Sequence, residues 1–355
     1  MKIISKYIAR GLFKNLLTIL FAVVVIYVAV DFFEKIDDFM EAKIPLSIAG
    51  YFFLLRIPFV VAQVFPVGVL LSALVVIGLM AKHNEIIAYA SGGGSGLSLL
   101  KPVVALGILS SLFLFMFNEM IVPATAVEAN RIWYQQVRGE GGENVRKKTT
   151  WFHRQGMIGR VGRYYPETRR AKDITLNYYD QGFKLVKRID ALEGAISGTT
   201  WTLYNAMESM GGRASDSKQY PELQVEMDFT ADQLHDRVKR SDEMSLPQLM
   251  EHIQKIEAEG YKATRFQVDL AAKVSFPLVC LIMSILGGAM ALRGKKGEGL
   301  AVNVVLGMGL AFSYWVVHSL CISLGYAGMY SPVLAAWTAN ALFVVLAAVL
   351  VYELA

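Results

Sequence analysis

The chain has 355 residues, of which 54% are apolar and 18% charged, with a mean hydropathy of +0.42 and a net charge of +5. Soluble globular proteins carry about 25% charge, so this balance excludes a disordered chain, a coiled coil and a fully soluble enzyme. The positive charge is no nucleic-acid footprint, because part of it sits in short loops beside apolar spans, where it sets membrane orientation.

Lys2, Lys6, Arg10 and Lys14 precede a first stretch free of Asp, Glu, Lys and Arg, Asn15 to Val30. A secretory leader opens the same way, but no small-x-small site precedes Asp31, so a retained helix is expected. Ile44 to Ala81 is interrupted only by Arg56 and holds Pro58 and Pro66, which predicts a kinked or tilted second span. Pro102 to Asn118 and Val274 to Leu292 are two more such stretches. Leu300 to Tyr352 runs 53 residues without any of the four charged types. As one helix it would reach roughly 80 Å against a ~30 Å hydrocarbon layer. It must fold back, at Gly325, Gly328, Ser331 and Pro332. Six transmembrane helices are therefore expected, near 12–33, 46–81, 102–124, 268–292, 299–324 and 332–353.

Short-loop charge sets the orientation. With the N-terminus inside, Lys2, Lys6, Arg10, Lys14, Lys82, Lys101, Arg293, Lys295 and Lys296 are cytoplasmic, against Lys35 and Lys43 outside. This bias places both termini in the cytoplasm and the 131–265 segment outside.

That segment alternates. Thr149–Arg154, Met157–Tyr165, Asp173–Tyr179, Phe183–Asp190, Thr200–Met207 and Leu223–Phe229 read as strands, with a hairpin turn at Asp180-Gln181-Gly182. Such spacing predicts an antiparallel sandwich or jelly roll. Trp151, Ile158, Val161, Tyr178, Leu185, Ile189, Trp201 and Leu203 are expected to face a shared interior, and Gly211 to Lys218 to form a loop. Ser245-Leu246-Pro247-Gln248 then opens a helix with a capping serine and a capping-box glutamine, ended by Gly260. The expected organisation is 1–130 with spans one to three and a cytoplasmic helix at about 82–92, 131–265 as the β domain, and 266–355 with spans four to six.

Few side chains suggest chemistry. Cys280 and Cys321 both lie in apolar runs, so neither a disulfide framework nor a cysteine metal site is available. Neither Gly294-Lys295-Lys296 nor Ser91 to Gly96 has the spacing that wraps phosphates, so any ATP must be bound by a partner chain. Gly93-Gly94-Ser95-Gly96 matches the short G-x-S-G string of rhomboid proteases, but topology keeps Ser95 cytoplasmic and His318 mid-span. A helix-ending hinge is the expected role of these glycines. Lys82 to Ala90 forms a short amphipathic helix, with Ile86, Ile87 and Ala90 able to meet an apolar surface and Glu85 projecting a charge. It is either an interfacial connector or a docking helix for an ATPase. Asp31, Glu34, Asp37, Asp38 and Glu41 read as a solvated helix end. Arg56 either snorkels or meets an acidic partner or a lipid phosphate, and Glu119 and His318 are expected to make helix–helix hydrogen bonds.

Several strings together carry a resemblance. They are Tyr7-Ile8-Ala9-Arg10, the run Phe65-Pro66-Val67-Gly68-Val69-Leu70-Leu71-Ser72-Ala73-Leu74, the run Asn84 to Gly92, Val122-Pro123, and the three-plus-three plan around a β domain. Over nearly its whole length the chain resembles the LptF/LptG (YjgP/YjgQ) lipopolysaccharide-export permeases, closer to LptG. The resemblance implies a multi-pass inner-membrane permease, not an enzyme. Such a subunit pairs with a second homologous permease and a cytoplasmic ATPase dimer, extracts lipopolysaccharide, and passes it to a periplasmic β-jellyroll bridge protein. It implies no cofactor in this chain and ATPase coupling by Glu85, Ile86, Ala88 and Gly92. Helices one and five would be lateral gates. Lys35, Lys43, Arg56, Trp201 and Leu203 are the candidate lipid contacts. The mostly acidic outer end of helix one departs from the family, whose basic residues there meet lipid phosphates. The alternative function is a non-transporting scaffold that anchors a periplasmic β domain, and Glu85 discriminates the two.

Overall fold

The computed structural model describes residues 2–138, 150–154, 156–165, 168–180, 182–211, 217–227, 240–258, 261–293 and 300–354. Nine α-helices are named in chain order among them: α1 Lys2–Glu41, α2 Leu46–Lys82, α3 Glu85–Ser91, α4 Leu100–Arg131, α5 Leu246–Ala258, α6 Thr264–Ser275, α7 Val279–Arg293, α8 Leu300–Tyr326 and α9 Pro332–Tyr352. Six helical stretches are long and apolar enough to cross a membrane, in the expected order, the fourth made of α6 and α7 together. The first is longer than expected, 40 residues or roughly 60 Å. The third runs past Arg131 into a π-helical turn at Ile132–Val137. The second continues through Pro58 and Pro66 as one helix. Gly328, at φ 74, and Ser331, whose Oγ accepts from Leu334 N–H, make the expected turn before α9. Lys295, Lys296 and Gly260 lie outside the described residues.

The contacts divide the chain into two compact units, one of Met1–Asp37, Leu46–Ala129 and Arg240–Ala355, the other of Asp38–Pro45 and Asn130–Lys239. The second unit runs to Lys239, before α5.

In the helical unit, glycines let spans approach closely, the usual basis of helix association in lipid. A Cβ on Gly287 of α7 would sit 2.4 Å from the Leu70 carbonyl oxygen of α2. Around this seam Leu70, Ala73, Leu74, Ile77, Val279, Met283 and Leu286 are buried together.

Among the described residues the β unit holds six strands: β1 Thr150–Arg154, β2 Met157–Tyr165, β3 Arg170–Tyr179, β4 Leu185–Ser197, β5 Thr200–Met210 and β6 Ser217–Glu226. They pair antiparallel in chain order, as one meander. The turn before β4 is as expected, with Asp180 Oδ1 accepting from the N–H groups of Gly182 and Lys184. Gln181 lies outside the described residues, as do Thr149 and Phe229. Of the expected 211–218 loop, 212–216 lie outside them and Ser217 and Lys218 already belong to β6.

A line of unpaired residues crosses five strands: Gly162, Asp173, Leu192, Asn205 and Pro221. On either side the inward residues are three apart instead of two: Val161 and Tyr164, Ala171 and Ile174, Ala191 and Gly194, Leu203 and Ala206, Tyr220 and Leu223. Asp173 and Asn205 take left-handed φ of 57° and 51°. The pairing register is the same on both sides of the line, so no strand gains a residue here; the left-handed residues turn the strands and flip which face each side presents. The sheet is creased here. Phe152 of β1 and Trp201 of β5 are four strand spacings apart, about 19 Å on a flat sheet. Their ring centroids lie 5.9 Å apart, so the sheet closes over its own apolar face. The expected layered β architecture is thus a folded meander.

The shared interior holds Val161, Ile189, Trp201 and Leu203, with Tyr178 packed at its margin. Trp151 does not belong there: it is 63% exposed, its ring under the Arg160 guanidinium. Ile158 alternates with the buried Met157 and Gly159 and lies on the outer face too. Both were misassigned because strand register, not hydrophobicity, decides the face.

Candidate functional site

Helix α3 is held by its ends. Asn84 enters it at φ 59, and its carbonyl oxygen accepts from Ala88 N–H at 3.0 Å. Beyond it, Gly93 takes φ 82 and Gly94 N–H donates to the Tyr89 carbonyl. These are the helix-ending glycines the sequence suggested. Tyr89 Oη meets Ser98 Oγ at 2.7 Å, and a Cβ on Gly94 would lie 2.4 Å from the Tyr89 ring. Ile86 and Tyr89, three residues apart on one face, pack against the helical core. Ile87 and Ala90 do not meet that surface; both are exposed, and Tyr89 takes their place. Glu85 is half-buried, while Ala88 and Gly92 are exposed. Of the four expected coupling residues, three therefore lie outside the packed face and Ile86 anchors the helix. The result is a small-residue face with one carboxylate at its edge.

At the other end of the first two spans, Asp31 is 5% exposed and joins two cations. Lys35, one turn on, pairs with its Oδ1, and Arg56 Nε lies 3.3 Å from its Oδ2. The Arg56 guanidinium also sits 5.7 Å from the Phe52 ring centroid. Arg56 has thus found an acidic partner, and the triad carries one net positive charge. Lys43 belongs to the other unit and is exposed in the turn after α1, at φ 54. Trp201 and Leu203 are fully buried in the β interior.

A third constellation was only half visible in the sequence. The strap Ser241–Ser245, a 3-10 turn at Ser241–Glu243 followed by an extended Met244, leads into α5 and is held by side chains from the third and fourth spans. Leu246 N–H donates to Glu119 Oε1 and Oε2 at 2.9 and 3.0 Å, which places a carboxylate at the N-terminus of α5. Lys273 Nζ donates to the Met244 carbonyl. Asp269 accepts from Ser241 Oγ on one oxygen and from Tyr326 Oη on the other. Gln248 Oε1 accepts from Ser245 N–H at 3.0 Å, as the capping box requires. Glu119 thus makes the interhelical bond expected of it. His318 makes none through Nδ1 and stacks on Tyr314 instead, centroids 5.6 Å apart. The bond that does link spans there runs from Tyr314 Oη to Asn340 Oδ1, whose amide donates to the Ser275 carbonyl. Asp269 and Lys273 were missed because they flank the fourth apolar run; their i, i+4 spacing opposite Ser241 and Met244 was the available signal.

A family model described as lipopolysaccharide export system permease LptF/LptG matches residues 6–353. The chain is similar to the lipopolysaccharide export system permease protein LptG of Escherichia coli (strain K12), 21% identical over 354 residues, 96% of this chain and 95% of that one. It is 22% identical over 325 residues to the protein of the same name in Haemophilus influenzae, 89% of each chain.

Proposed function

The chain belongs to the LptF/LptG family of lipopolysaccharide export system permeases, and from that premise we propose that it is one permease subunit of an ATP-driven exporter. It sits in the bacterial inner membrane with both termini cytoplasmic and the β unit periplasmic. It pairs with a second permease and with an ATPase dimer that docks on α3. Together they lift lipopolysaccharide from the outer leaflet and hand it to a periplasmic bridge protein of β-jellyroll type.

One observation carries this reading. The apolar windows of the second and fourth spans are each 67% buried within the chain, but those of the first and fifth only 17% and 22%. Two helices of one chain are left as open walls, which suits a half-cavity completed by another permease. The need is physical: each acyl CH₂ costs about 0.8 kcal/mol in water, so such a lipid requires both an apolar path and an energy source. The Lys35–Asp31–Arg56 triad offers a net positive charge to a lipid phosphate, and Lys43 offers another.

The test is purification in mild detergent, with identification of the copurifying chains, followed by reconstitution. A second permease, an ATPase and ATP-dependent delivery of lipopolysaccharide to an acceptor are expected. A chain that purifies alone and inserts without either would refute the reading.

A further inference from the structure

Resting on that reading and going beyond it, we propose that Asp269 is a positioning residue that relays movement of the fifth span to the strap leading from the β unit. Each of its carboxylate oxygens has one hydroxyl partner. Tyr326, the last residue of α8, holds one, and Ser241, near the start of the strap, holds the other.

The strap is otherwise fixed to spans three and four. Glu119 holds Leu246 N–H and Lys273 holds the Met244 carbonyl. Met244 is buried with Leu249, Ile253 and Ala263, so the strap cannot slide without disturbing that cluster. The fifth span lacks comparable packing, with 22% of its apolar window buried. Its Tyr326 ring also lies 5.3 Å from the Arg265 guanidinium. A displacement of the end of this helix reaches Ser241 through the shared Asp269 carboxylate. The tie runs Tyr326, Asp269, Ser241, and the chain before Arg240 is the β unit.

The test uses the full complex in proteoliposomes and reads lipopolysaccharide delivered per ATP hydrolysed. Tyr326→Phe removes one hydroxyl and keeps the ring against Arg265. Ser241→Ala cuts the other end of the relay. Each is expected to lower the ratio about tenfold, on the scale of one hydrogen bond to a charged group. The double variant is expected to be no worse than the lower single, with the ATPase rate kept. A tie of merely structural value would lower the melting temperature additively and leave the ratio alone; that result, or a double variant whose losses multiply, overturns the relay. A wild-type complex that delivers no lipid overturns the transport reading and the relay with it. A wild-type complex that delivers lipid, beside a Tyr326→Phe variant that equals it, overturns the relay alone.

Discussion

The backbone N–H of Leu246 donates to both carboxylate oxygens of Glu119, 127 residues earlier in the chain. A charge inside a span is thereby matched to a helix N-terminus, where unsatisfied donors and the helix dipole both favour an anion. Glu119→Ala is expected to cost about 1–3 kcal/mol of stability. Glu119→Gln keeps an acceptor and is expected to lose about half as much, since charge-assisted bonds are roughly twice as strong as neutral ones. Thermal melting of the two purified variants checks the order.

Asp31 masks two cations. Asp31→Asn is expected to lower stability by about 1–3 kcal/mol while exposing more positive charge to an anionic headgroup. Native mass spectrometry should then find more lipopolysaccharide retained than in the wild type. Equal or lower retention would remove Lys35 and Arg56 from the candidate lipid contacts.

Helix α3 separates anchoring from docking. Ile86→Ala should lower the melting temperature, because Ile86 packs on the helical core; about 1–2 kcal/mol is expected for a half-buried aliphatic side chain. Glu85→Ala and Ala88→Leu should leave melting unchanged and reduce ATPase copurification. Full copurification with both variants would reduce α3 to an interfacial connector.

The two tryptophans of the β unit should behave oppositely. Trp201→Ala empties a fully buried site and is expected to cost about 3–5 kcal/mol. Trp151→Ala, on the outer face, should stay within about 0.5 kcal/mol. Denaturant titration of the two variants distinguishes them.

Lys172 and Glu193 face each other across β3 and β4, Nζ to Oε1 at 2.7 Å. The hydrogen bond and then the charge of Lys172 hold the Glu193 carboxyl below its ordinary 4.5. The same partner lifts the Lys172 ammonium above 10.5. The depressed carboxyl contributes stability above 4.5 that is lost as pH falls through its folded value; the raised ammonium contributes below 10.5 and loses it as pH rises. The melting-temperature gap between wild type and Glu193→Gln should therefore be flat near neutrality and close in acid. A gap that never narrows with acidification, down to the pH at which both proteins unfold, would argue against the pair.

The spans were legible because uninterrupted apolarity needs no partner to be recognised. The crease was not, and the reason lies in particular residues. The expected strands began at Asp173 and at Leu223, and one ended at Asp190. Those are the places where the two-residue alternation slips to three. A slipped alternation looks like a strand end when read along one chain, although β3, β4 and β6 continue through it. Arg56 was recognisable as a buried cation in need of a partner, but its choice of Asp31 depends on how two spans face each other. Asp269 and Lys273 make sense only once Ser241 and Met244 are placed against them.

The nearest-neighbour pairing of the sheet also orders the birth of the molecule. Each of the six described strands of the β unit pairs with the strand just made or the next to come, so its contacts can close one hairpin at a time as synthesis proceeds. The seam between α2 and α7 has no such privilege. Leu70 waits for Gly287 until more than half the chain has been translated. During that interval the α2 face that later packs on α7 has no protein partner from its own chain.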